Sequence, residues 1–166
     1  MGMQSPGRLW RAAWLVLAVL GTCAALVTCG AKKDPIEALL ADIEEAAEDR
    51  DAQGVVDHLA PEFVGMGRIG RADALVSLRR YFAAYESVNL TIYGVEIDRD
   101  EDASEGHVRF QVDFDGRPLK IGALSGFLPP SAMYRFDLQV RAEEGKESWL
   151  VSGGTWEELA LKAGEE

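Results

Sequence analysis

The groups able to do chemistry in this chain are few and widely spaced. Its two histidines, His58 and His107, lie far apart and lack the His-x-x-x-His spacing that sets two ring nitrogens on one helix face for a metal ion. Its two cysteines, Cys23 and Cys29, both fall within the first 29 residues, so the rest of the chain can build neither a disulfide nor a thiolate metal site. The sequence contains no Gly-x-Ser-x-Gly, P-loop or dinucleotide fingerprint. Gly65-Met66-Gly67-Arg68-Ile69-Gly70 is glycine-rich but has the wrong spacing and reads as a loop. No metal and no cofactor is expected, and no catalytic residue is assigned. His58 can act as a base near neutral pH, and a carboxylate can do so where burial raises its pKa.

The strand pattern decides where the ionisable groups point. Val108, Phe110, Val112 and Phe114 alternate with His107, Arg109, Gln111 and Asp113. Tyr134, Phe136, Leu138 and Val140 alternate with Arg135, Asp137, Gln139 and Arg141. A period of two puts these sets on opposite sheet faces. If helices cover the apolar face, then His107, Arg109, Asp113, Arg135 and Asp137 meet water, which counts against an enzyme. Arg109 with Asp137, or Arg135 with Asp113, can pair across neighbouring strands for roughly 0.2–1 kcal/mol each.

The other elements follow from caps and periodicity. Asp34, Pro35 and Glu37 form a helix start with the makings of a capping box, and Ile36, Leu39, Leu40, Ile43 and Ala47 give an apolar stripe to about Glu48. Asp51 caps a second helix carrying Val55, Val56 and Leu59, stopped by Pro61. Phe63-Val64 is a short extended piece. A third helix is predicted from about Arg71 to Tyr85, with Leu75, Leu78, Phe82 and Tyr85 inward. Val88, Leu90 and Ile92 then share a strand face, and the apolar positions slip by one after Gly94, which reads as a β-bulge. Asp98 to Gly106 is an acidic turn, Asp115-Gly116 a turn, and Leu119 with Ile121 a short strand. Glu144-Gly145-Lys146 is a hairpin turn, and Trp149 to Trp156 the last strand, bulged near Gly153-Gly154. Helices first and meandering strands after them make an α+β domain.

Charge narrows the partners. The chain has 17 Lys plus Arg against 28 Asp plus Glu, and from residue 29 onward the balance is 15 against 28, net −13. Such a surface repels nucleic acid, so none is expected as a partner.

The N-terminus has the shape of an export signal. Arg8 and Arg11 precede an apolar run from Ala12 to Thr28, and Lys32-Lys33-Asp34 begins polar sequence. Leu26-Val27-Thr28-Cys29 resembles the lipobox of bacterial lipoproteins, although Thr28 replaces the small residue usual before the cysteine. The resemblance implies lipid attachment at Cys29, a signal peptide over 1–28 and a tether over 29–33. The domain would then face the periplasm from a membrane, the outer one by preference because Gly30 is not Asp. Cys23 sits in a similar Leu20-Gly21-Thr22-Cys23 setting. Cleavage after Ala31, which would leave a secreted soluble protein, and retention of Ala12–Ala31 as a span of ~20 residues are the alternatives.

The order of elements also meets a family. The helix starting at Asp51-Ala52, the Leu59-Ala60-Pro61-Glu62-Phe63 segment, the Leu78–Tyr85 helix and the Tyr134-Arg135-Phe136 strand beside Trp149-Leu150-Val151 and Trp156 resemble the NTF2-like superfamily. Its SnoaL-like and ketosteroid-isomerase-like members share this cone-shaped fold. The resemblance covers about Pro35 to Leu159. It implies a cone of three N-terminal helices packed on a bent, mostly antiparallel sheet over 34–160, with a polar tail at 161–166. Members include isomerases, cyclases, dehydratases and pure binding modules, so the fold does not decide function. Within such a cone, Tyr81, Tyr93, Tyr134, Trp149 and Trp156 are the aromatics expected to line a pocket, and His58 could reach its mouth. The expectation is a non-catalytic binding or scaffold module, monomeric or a weak homodimer, with an envelope protein or a small apolar ligand as partner. A SnoaL-like enzyme or small-molecule carrier is the alternative.

Overall fold

Asp34 begins the fold by capping a helix. Its carboxylate accepts the N–H of Ile36 at 2.8 Å, and Pro35 occupies the first helical position, where a missing N–H costs nothing. In the computed structural model, which describes residues 33–100, 102–119 and 128–160, this helix is α1, Pro35–Glu48. It buries Ile36, Leu39, Leu40 and Ala47, the stripe its 3.6-residue spacing predicts. Asp51 caps α2, Ala52–Asp57, by accepting the N–H groups of Gln53 and Gly54, each at 3.0 Å. Strand β1, Leu59–Val64, comes next, then a 3₁₀ turn at Met66–Arg68 and α3, Arg71–Phe82. Four long strands complete the domain: β2, Tyr85–Asp98; β3, Glu105–Pro118; β4, Ser131–Ala142; and β5, Trp149–Ala160.

The strands form one sheet in the order β1-β5-β4-β3-β2, with β1 parallel to β5 and every other pair antiparallel. The architecture is therefore α+β, with helices on one face of a bent, mostly antiparallel sheet. Val108, Phe110, Val112, Val140, Trp149 and Val151 from the sheet pack with Ile36, Leu39, Leu40 and Val56 from the helices in one buried cluster. A second cluster joins Tyr85, Val88, Phe114 and Ala132. Among the described residues, none that is polar or charged falls in the buried class.

The bulge predicted in β2 is present: the register with β3 shifts between Tyr93 and Glu96, and Gly94 sits at φ +63°. That left-handed backbone is nearly free of cost only for glycine. A second shift, between Gln139 and Val140, lets β4 skip Ser152 of β5, next to the expected Gly153-Gly154 position.

Several predicted boundaries move. The second helix stops at Asp57, and Leu59 already belongs to β1. Pro61 is accommodated because β1 is an edge strand, hydrogen-bonded on one side only. Tyr85 is not the end of the third helix; it opens β2 and is fully buried. Asp115-Gly116 is not a turn but the middle of the β2–β3 ladder, with Asp115 opposite Asn89 and Gly116 opposite Val88. Glycine is needed at 116 for closeness: a Cβ there would lie 2.6 Å from the Tyr85 ring and 2.7 Å from that of Phe114. The last strand continues four residues past Trp156, to Ala160. Ile121, the far end of the predicted short strand, lies outside the described residues, as do Cys23, Cys29 and the tail at 161–166.

Candidate functional site

Register places each candidate residue on a definite face. Tyr134 stands opposite Val112, Phe136 opposite Phe110, Trp156 opposite Phe136 and Glu158 opposite Tyr134. Cross-strand partners share a face, so Tyr134, Phe136, Trp156 and Glu158 lie on the inner, helix-side face. By the same rule Tyr93, opposite Gln111, belongs to the outer face with Arg109 and Asp113. Tyr93 is therefore not among the inner aromatics. Trp149 is inward but buried in the main core, with the Arg99 guanidinium 5.2 Å from its ring centre. Of the five expected pocket aromatics, Tyr81, Tyr134 and Trp156 come together.

Their meeting point is a line of phenols. Tyr81 on α3 lies 5.0 Å from the Tyr85 ring and 5.8 Å from that of Phe114, centre to centre. Tyr85 donates its hydroxyl proton to the carbonyl of Pro129 at 3.0 Å. Tyr81 and Tyr134 pack against the same buried cluster as Tyr85, which gathers the three phenols. Burial raises the pKa of all three phenols; at Tyr81 the neighbouring hydroxyls raise it further, and at Tyr134 the charge of Glu158 does so. These groups are neutral hydrogen-bonding hydroxyls, not bases, at physiological pH.

The end of β5 completes the arrangement. Its partner β1 stops at Val64, opposite Gly153, so Trp156 and Glu158 lie past the end of β1. Trp156 is 46% exposed and meets Tyr134 edge to face, with ring centres 5.6 Å apart and planes at 83°. Tyr85 and Glu158 were not predicted as site residues. Tyr85 was placed in a helix, and Glu158 lay beyond the predicted end of its strand; alternation extended by one step from Trp156 would have shown Glu158 facing inward.

Arg109, Arg135, Asp137 and His107 lie on the other face. Arg109, Arg135 and Asp137 have side chains 57%, 49% and 54% exposed. The predicted pairs are replaced by others: Arg109 approaches Glu96 at 3.5 Å, Arg135 bonds Glu157 at 2.7 Å, and His107 approaches Asp137 at 3.9 Å. The β2 bulge sets Glu96 directly beside Arg109, and register sets Glu157 beside Arg135, whereas Asp113 faces Met133. His58 is the C-cap residue of α2 and half-buried. No group of three potential metal-ligating side chains occurs among the described residues, and no helix there is long and apolar enough to cross a membrane.

No family model and no curated protein matches the chain in sequence. Solved structures do match in fold. A protein from Novosphingobium aromaticivorans, provisionally assigned as a scytalone dehydratase, aligns with a TM-score of 0.63 at 14% identity over 76% of this chain and 83% of its own. A ketosteroid isomerase-like protein from Erwinia carotovora atroseptica aligns at 0.58 and 15% identity, over 79% and 98%. An NTF2-like protein of unknown function from Pseudomonas putida aligns at 0.57 and 14%, over 73% and 82%. The chain thus has the NTF2-like cone fold.

Proposed function

We propose that this chain is an exported domain of the cell envelope, lipid-anchored through Cys29, facing the periplasm, and acting as a non-catalytic binding module. Its inner sheet face would hold a small, largely apolar ligand, with the phenol line reading one polar atom. The observation that carries this reading is the division of the sheet. The strand ions Arg109, Arg135 and Asp137 are exposed on the outer face, while the inner face offers apolar rings and neutral hydroxyls, with the exposed Glu158 at its rim. An enclosed proton-transfer group needs a perturbed carboxylate or imidazole, and among the described residues neither lies beside the phenols in a sheltered position. The charged outer face supports a monomer or a weak polar dimer, and the net charge of −13 from residue 29 onward argues against nucleic acid.

The experiment is native mass spectrometry of the full chain extracted from membranes in mild detergent. The expected result is a co-purifying small molecule of unchanged mass after hours of incubation, together with palmitate labelling that Cys29→Ala abolishes and Cys23→Ala does not. A ligand whose mass changes during incubation would overturn the non-catalytic reading. Labelling that survives Cys29→Ala would overturn the anchor.

One observation favours a SnoaL-like enzyme as the second reading. Glu158 faces Tyr134 across the strands, and a ligand that covered Glu158 would desolvate its carboxylate and make it a stronger base. In that case Glu158→Gln would keep the ligand but stop its conversion.

A further inference from the structure

We propose that the open end of β5 is a recognition corner for an organic cation, a primary ammonium carried on an apolar body. This rests on the small-ligand reading above and specifies the ligand's chemistry. Three features converge there. Tyr134 and Trp156 meet at 83° with centres 5.6 Å apart, so the two ring faces bound an L-shaped corner. The face of an aromatic ring attracts a positive charge, Trp most of all. Glu158 stands in register with Tyr134 and two residues from Trp156 on the same face, which puts a carboxylate at the rim of that corner. Phe136, opposite Trp156 and stacked on Phe110 at 5.2 Å, extends the apolar floor inward.

The polar atom at the corner fits the same ligand. The Tyr134 hydroxyl oxygen carries lone pairs that can accept a hydrogen bond. An ammonium can donate to that oxygen, sit against both rings and be balanced by Glu158. A carboxylate or phosphate ligand would meet Glu158 with like charge. The acidic surface, net −13 from residue 29 onward, adds long-range attraction for cations. Trp156 is available for this role, since it lies past the end of β1 and remains 46% exposed.

The test compares two probes of similar shape by calorimetric titration of the full chain at pH 7: phenethylamine, which is a cation there, and 2-phenylethanol, which is neutral and can still donate to Tyr134. The expected result is saturable binding of phenethylamine about tenfold or more tighter than 2-phenylethanol, a factor worth about 1.4 kcal/mol. Glu158→Gln, an isosteric change at an exposed position, should bring the two affinities together. Trp156→Ala, checked for folding by circular dichroism, should weaken both. Equal affinities in the unaltered protein would sink the cation inference while leaving the small-ligand reading in place. Binding of neither probe up to millimolar concentration would remove this corner as a ligand site, and a ligand co-purified in native mass spectrometry would then have to sit elsewhere. A cation preference undiminished in Glu158→Gln would also overturn the role assigned to the carboxylate.

Discussion

Glu48 on α1 accepts the backbone N–H of Leu90 on β2 at 2.8 Å, and one turn earlier Glu44 accepts that of Ile92 at 3.3 Å. β2 is the last strand of the sheet, so these N–H groups point away from β3 and would otherwise be open to another chain. Two carboxylates four residues apart share a helix face, and here they match alternate donors along the edge. Glu48→Ala should cost about 0.5–1.5 kcal/mol and speed amide exchange at Leu90. Hydrogen exchange read residue by residue checks this. Unchanged protection at Leu90 would mean that the helix backbone alone shields the edge.

Asp34 links the helix start to the sheet. It caps α1 and takes a hydrogen bond from the Arg99 Nη2 at 2.7 Å, while Arg99 lies over Trp149. Burial pushes its carboxyl up, but the bonds from Arg99 and Ile36 and the charge of Arg99 more than offset this and hold it below the ordinary value of 3.8. A carboxyl depressed by folding contributes stability that is present above its unfolded pKa and lost as pH falls through the folded value. Asp34→Ala should therefore cost about 1 kcal/mol at pH 7. Asp34→Asn, which can still cap, should cost less. Both gaps should shrink below about pH 4, as urea midpoints across pH would show.

The parts of the fold legible in the sequence are those where one physical signal acts alone. In β3, strict alternation sends Val108, Phe110, Val112 and Phe114 inward, and all four are buried. The bulge at Gly94 could be read because it moves apolar positions by one. Tyr85 is not legible because a helical stripe and an inward strand residue look alike at a junction, and the room for its ring is set by Gly116, about thirty residues on and across the ladder. Asp115-Gly116 has turn chemistry, yet packing against Tyr85 outweighs it. Arg109 does stand opposite Asp137, but the bulge also sets Glu96 beside it on its other flank, and that is the carboxylate it approaches, while register sets Arg135 beside Glu157 and not Asp113. Glu158 escaped notice because strand ends are set by pairing with β4, not by composition.

Gly116 is accordingly predicted to be a packing residue. A methyl group there would meet ring carbons of Tyr85 at 2.6 Å, well inside contact distance, and Tyr85 is fully buried and cannot swing away. Gly116→Ala should destabilise the domain by about 1–3 kcal/mol, the range for overpacking a close-packed core. Gly67→Ala is the control: its Cβ would meet nothing within 4 Å, so any cost there comes only from its φ of +73°. Chemical unfolding midpoints of the two variants should separate the mechanisms, with near-neutral Gly116→Ala counting against the Tyr85 contact.

The line of phenols predicts an alkaline limit. Burial raises the pKa of Tyr81, Tyr85 and Tyr134 above the ordinary value of 10.0, most strongly at Tyr81, where the hydroxyls of Tyr85 and Tyr134 raise it further. Above pH 10 the unfolded chain therefore binds fewer protons than the native one, so stability must fall as pH rises. It should be flat with respect to these groups below that point. Tyr81→Phe removes the central hydroxyl and the most perturbed proton, so its stability should decline less steeply above pH 10. It should also lose part of its stability at pH 7, about 0.5–1.5 kcal/mol, if the Tyr81 hydroxyl serves as a polar partner within this cluster. Phenolate absorbance and thermal unfolding, followed together between pH 8 and 12, test both statements. Parallel alkaline slopes for the unaltered chain and Tyr81→Phe would show that the three hydroxyls are wet and ionise independently, and would remove the neutral phenol line from the site.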